Sequence, residues 1–159
     1  MSLKDALHQE RIEDEGAWLP MPPEVGGEAL ISFMGNPEFL AKRQRLEDQW
    51  RKQHPAYRTA SKPMPSEADE DLTREAMIGT VVKRLRGIPA DDSGEEVPDT
   101  DDGIRAVLDS RKCRRHIIQY ATDEATFLRE NLDLIQGNSK APSGGSSAAG
   151  RSPKKTSKD

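Results

Sequence analysis

The 23 residues from Gly137 to Asp159 contain no valine, isoleucine, leucine, methionine or aromatic residue. Such a segment buries too little apolar surface to offset the entropy of ordering its backbone. It reads as a disordered tail rich in Gly, Ser and Lys. The tail holds five bases (Lys140, Arg151, Lys154, Lys155, Lys158) against one acid, Asp159, a net of +4. The whole chain of 159 residues carries -4, so residues 1–136 carry -8. The expected organisation is therefore one small acidic domain over 1–136, followed by a basic tail at 137–159. Charged and hydrophobic residues each make up 33% of the chain and aromatics 4%, so the core of that domain must be small.

The same composition bounds the class of protein. No apolar run approaches the roughly 18 residues that a membrane-spanning helix needs, and the mixed charges of residues 1–10 give no sign of a secretion signal. The single cysteine, Cys113, excludes an internal disulfide and a cysteine-based structural zinc site. A reducing cytosol is the compartment expected from that usage.

Local signals give an α+β reading: a small N-terminal β-hairpin or sheet and a helix-dominated C-terminal half. Ser2 is placed to cap a short helix over residues 2–13, whose large apolar residues are only Leu3, Leu7 and Ile12. Ala17 to Met21 and Glu28 to Met34 read as strands joined by PPEVGG, where Gly26-Gly27 is a turn signal. Neither face of the second strand is strongly polar, which suits a central or covered strand. Asn36-Pro37-Glu38 starts a helix that runs to about Gln53, and Pro55 ends it. Residues 54–65 form a proline-bearing loop. Ser66, with Asp69 three residues on, is expected to open a helix. Leu72, Ile78, Val81, Val82 and Leu85 carry that helix forward to a stop at Gly87. A turn, with a small hairpin around Asp92-Ser93-Gly94, fills residues 88–98. Thr100 caps a short helix. From Ser110, the residues Cys113, Ile117, Ala121, Ala125, Leu128, Leu132 and Ile135 trace one apolar stripe to about Gln136, with Thr122-Asp123 as a break point.

The search for chemistry finds little. Gly26-Gly27 precedes a strand rather than a helix and no GK[ST] occurs, so no phosphate loop is indicated. Cys113 and His116 share a helix face, but Cys113 lies on the apolar stripe, where cysteine behaves as a small hydrophobe. Three scattered histidines make no metal site. The acids Asp91, Asp92, Glu95, Glu96, Asp99, Asp101 and Asp102 lack calcium-loop spacing and read as a solvated loop before a helix. Arg111, Lys112, Arg114, Arg115 and His116 form a basic knot that could meet phosphates. The acidic balance of the domain and the lack of an aromatic platform argue against nucleic acid. No cofactor, no metal and no catalytic residue is expected. Trp50 and Tyr57, beside the proline-bearing loop, would suit a protein-contact patch.

Two stretches carry a resemblance to a known family. The first is EGAWLPMPPEVGGEALISFMGNPEFLAKRQRLE, with its acidic turn, Trp strand, second strand and GNPxF helix start. The second is LRGIPADDSGEEVPDTDDGIRAVLDSRKCRRHIIQYATDEATFLREN, which ends in A-x-D-x-x-x-F. In their order these motifs resemble the tail assembly chaperones of long-tailed bacteriophages, the shorter product encoded before the tape-measure protein. The resemblance implies a non-enzymatic protein that binds the tape-measure protein, keeps it soluble and helps recruit tail-tube subunits. It also implies a host-cytoplasmic protein absent from the finished virion, with self-association possible, and a longer frameshifted product in some members. No individual binding residue follows from it. On the residues alone, the surfaces to test are Phe39, Leu46 and Trp50 on one helix and Leu128, Leu132 and Ile135 on the last. Two other readings stay open: a structural head-tail or tail-completion protein of the particle, and a small nucleic-acid-binding regulator.

Overall fold

In the computed structural model, which describes residues 1–59 and 61–128, Ser2 closes a reciprocal capping box with Asp5. The Ser2 hydroxyl accepts from the Asp5 amide at 3.1 Å, and the Asp5 carboxylate accepts from the Ser2 amide at 3.1 Å. Helix α1 (Leu3–Glu15) follows and ends where the Gly16 amide donates to the Ile12 carbonyl at 2.8 Å.

Three antiparallel strands, β1 (Ala17–Pro20), β2 (Glu28–Ile31) and β3 (Val82–Arg86), lie in the order β1-β2-β3. Ala17 faces Ile31 and Pro20 faces Glu28 across the first pair, and Ala29 faces Leu85 across the second. The hairpin connection holds Gly26 and Gly27, both at positive φ. The central strand is β2, where Ala29 and Ile31 are fully buried. It stops at Ile31, short of the expected Met34. The next three amides turn to different elements: Ser32 to Val81, Phe33 to Glu13 and Met34 to Ala121.

Helix α2 (Pro37–Gln53) starts as expected, with the Asn36 side chain accepting from the Phe39 amide at 2.9 Å. The same side chain donates to the carbonyls of Phe33 (2.6 Å) and Thr80 (3.0 Å), which pins the helix start to the turn before β3.

Two expectations about helices are corrected. The helix opened near Ser66 does not reach Leu85: α3 spans Ser66–Met77, and the chain turns through Ile78 to Val81 into β3. Ile78, Val81, Val82 and Leu85 are buried, so their spacing satisfies a strand as well as a helix. The β-branched run around Gly79 and the open edge of β2 decide for the strand. Ser66 is no N-cap either, because Pro65 holds that position with no side-chain cap. Asp69 pairs instead with Arg43 of α2.

Helix α4 (Asp101–Asp109) is capped by Thr100, and α5 (Arg111–Ala121) by Ser110. The stripe expected to run toward about Gln136 ends as a helix at Ala121, directly before the expected break at Thr122-Asp123. The Thr122 hydroxyl donates to the Ile118 carbonyl at 2.6 Å, and Asp123 caps a 3-10 turn over Glu124–Phe127. The loop over 88–98 does form the small hairpin, with Ala90 bonded to Glu95 and Val97 to Ile88. Among the described residues, the result is an α+β fold of one antiparallel sheet and five α-helices. One apolar cluster draws on the sheet, Phe39 of α2, α3, α4, α5 and the last turn.

Both rims of the sheet carry side-chain bonds. At β3, the Asp99 carboxylate accepts from the outward Leu85 amide at 2.9 Å and from Arg84 at 2.8 and 2.9 Å. At β1, the Pro20 carbonyl accepts from His116 Nε2 at 2.7 Å. The Leu85 amide, and then Arg84, hold the Asp99 carboxyl below its ordinary 3.8. The Arg105 fork, which joins α4 to α3 at 2.8 and 3.2 Å, holds Glu75 below its ordinary 4.5. A carboxyl depressed in the folded state adds stability above its unfolded value, and that stability is lost as pH falls through the folded value. The melting temperature should therefore fall as pH drops below 4.5 and then 3.8. In the Glu75→Gln/Asp99→Asn double variant, thermal melts should show a lower plateau and a shallower acid limb.

Candidate protein-binding surface

The α2 stripe divides into a buried half and an exposed end. Phe39 lies in the core and offers no surface, and Leu46 is half-buried against it. Trp50 is half-buried one turn from the helix end. His54, four residues on, stacks on its ring at 4.0 Å and donates through Nδ1 to the Trp50 carbonyl at 2.7 Å. Pro55 ends the helix and bends the chain into a 3-10 turn over Pro55–Tyr57, which brings Tyr57 to 5.3 Å from Trp50. Arg51 then clamps the loop, donating to the carbonyls of Tyr57, Thr59 and Lys62 at 2.8, 3.1 and 3.0 Å. This aromatic corner borders a shallow cleft of about 320 Å³ lined by Trp50, His54, Pro65, Ala68 and Leu72, together with Glu67 and Asp71.

Of the other expected surface, Leu128 is 39% exposed, whereas Leu132 and Ile135 lie outside the described residues, as does the tail at 137–159. The structure also exposes apolar side chains that were not singled out as contact residues. Leu3 and Leu7 of α1 are 75% and 56% exposed, and Leu40 of α2 is 55% exposed. Leu3 and Leu7 stand one turn apart on a helix that buries none of its own residues completely. The signal for this was present: α1 has too few apolar anchors to be drawn into the core along its length.

The candidate chemistry is taken up by structure. Cys113 is buried, and His116 turns its Nε2 to the Pro20 carbonyl and its ring edge to Tyr120 at 5.2 Å, so the two do not form a nucleophile–base pair. Asp99 serves β3, and Asp91 accepts from the Ser93 amide at 2.7 Å within its own turn. Among the described residues, no group of three or more His, Cys, Asp or Glu side chains is placed to hold a metal ion. Among them, too, no helix is long and apolar enough to cross a membrane.

The basic knot occupies the first turns of α5 and separates into tied and free members. Lys112 pairs with Glu24 of the β1–β2 connection, holding that carboxyl below its ordinary value, and Arg114 donates to the Leu108 carbonyl at 2.6 Å. The side chains of Arg111 and Arg115 are exposed and make no hydrogen bond or ion pair with the described residues. Each lines two clefts. One, of about 480 Å³, lies against α3 and includes Thr73, Met77 and Ile118. The other, of about 560 Å³, lies against Pro22, Pro23 and Glu24 and includes Gln119.

No family model, no curated protein and no solved structure matches this chain.

Proposed function

We propose that this chain is a tail assembly chaperone of a long-tailed bacteriophage, a non-enzymatic protein that binds the tape-measure protein. It keeps that client soluble in the host cytoplasm, helps recruit tail-tube subunits around it, and is left out of the finished particle. The observation that carries the reading is the display of large apolar side chains on helices of an acidic body, with Leu3 and Leu7 of α1 at 75% and 56% exposure. Such side chains cover apolar stretches of a client at i, i+4 spacing, while the net -8 of residues 1–136 keeps the complex in solution. The ordered motifs around Trp18, Asn36-Pro37 and the 88–127 segment support the same family.

The test is co-expression with the adjacent tape-measure protein. The wild-type chain should give a soluble complex, and the Leu3→Glu/Leu7→Glu variant should lose well over half of it. Because both positions are exposed, the melting temperature should stay close to that of wild type. Absence of any complex with the wild-type chain, or its recovery as a constituent of purified virions, overturns the reading. Recovery from virions would instead favour a structural subunit.

A further inference from the structure

We infer that Arg111 and Arg115 are the seat for an acidic helical segment of the partner protein. This deepens the chaperone reading and rests on it. The argument begins with a local cost. The first turn of α5 carries Arg111 and Lys112 and no acid, although the positive end of a helix dipole disfavours cations there. Lys112, Arg114 and His116 have internal partners that account for their presence: Glu24, the Leu108 carbonyl and the Pro20 carbonyl. Arg111 and Arg115 have none among the described residues. Among the described residues, this pair of unpartnered guanidinium groups on a body of net -8 is a segregated charge feature.

The geometry selects the occupant. Residues four apart on a helix place their side chains about 5–6 Å apart, the spacing of two carboxylates one turn apart on another helix. Each guanidinium can take one carboxylate in a two-bonded fork. On either side lies a cleft into which neighbouring side chains of that segment can drop. One is floored by Met77 and Ile118, the other walled by Pro22 and Pro23. A nucleic-acid strand fits less well. Its phosphates follow one another continuously, at about one charge per 3.4 Å of axis along each strand. Such a run would meet Glu24 in one cleft and Asp69 and Glu70 in the other. A helix with two discrete acids can set both at the arginines and place uncharged side chains in the clefts.

The test uses the full chain and three probes. The first is a fluorescent helical peptide with two glutamates one turn apart, the second its Gln/Gln counterpart, and the third a single-stranded DNA oligonucleotide. The Glu peptide should bind, weaken with added salt, and bind at least tenfold more weakly to Arg111→Glu/Arg115→Glu. The Gln peptide and the DNA should show no binding of comparable strength. The double variant places an acid at the start of α5, so its melting temperature should hold or rise, and loss of binding cannot be put down to unfolding. Equal binding of the Glu peptide to wild type and variant overturns the inference, as does DNA binding that outcompetes the peptide. The tape-measure co-expression separates the two proposals. A wild-type complex that survives the double variant undiminished removes the arginine seat and leaves the chaperone reading. No wild-type complex, with the peptide still bound through the arginines, removes the chaperone reading and leaves an acidic-helix site for another protein.

Discussion

Replacing Phe127 by alanine is expected to lower the unfolding free energy by about 3–5 kcal/mol, a large share of what a domain of this size holds. Phe127 is fully buried at the end of the last 3-10 turn and meets the edge of Phe33 at 6.1 Å with the rings at 76°. Truncation removes its apolar transfer energy and leaves a void in a core that is small to begin with. It also removes an edge-to-face pair worth about 0.5–1.5 kcal/mol beyond burial. Phe127→Leu retains most of the volume and should cost well under half as much. Urea unfolding followed by tryptophan fluorescence reads both variants. A loss of less than about 1 kcal/mol for Phe127→Ala would mean that the last turn is not part of the cooperative core.

The second large effect is expected at Gly16, between α1 and β1. Its backbone, at φ 91° and ψ -180°, occupies a region essentially confined to glycine. A Cβ there would lie 2.3 Å from the Ile31 carbonyl oxygen, on the strand residue paired with Ala17. Gly16→Ala therefore combines backbone strain with displacement of the β1–β2 register, at a cost of about 3 kcal/mol or more. Gly94 provides the control, because it shares a φ of 91° but has nothing within 4 Å of an added Cβ. Gly94→Ala should cost only about 1 kcal/mol, the conformational share alone. Thermal melts of the two variants side by side separate sterics from strain. Equal losses would show that the close approach to Ile31 relaxes at little cost.

The parts of this fold that were legible in sequence are those decided within a few residues. Ser2, Asn36, Thr100 and Ser110 all cap the helices they precede, since a side-chain acceptor three residues before a free amide is a local matter. The hairpin with Gly26-Gly27 and the turn at Asp92-Ser93-Gly94 were readable for the same reason. Strand β3 was not, because burial of Ile78, Val81, Val82 and Leu85 can be met in either geometry, and the deciding partner, β2, lies some fifty residues earlier. The candidate surface shows the same division. Periodicity found the α2 stripe but could not say that the core takes Phe39 while Trp50 stays at a corner built by Pro55 and Arg51. It found the basic knot as a unit. Only the tertiary partners of Lys112, Arg114 and His116, at Glu24, Leu108 and Pro20, separate the two arginines whose side chains have no partner among the described residues.

The side chains bonded at the two rims of the sheet, His116 at Pro20 and Asp99 at Leu85, have a bearing on crowded assembly. Outer strands of four and five residues present few outward amides and carbonyls, and here one at each rim is already engaged. A neighbouring chain arriving in extended form finds no long free template on which to register. The sheet therefore offers little for strand addition between copies, even at high concentration.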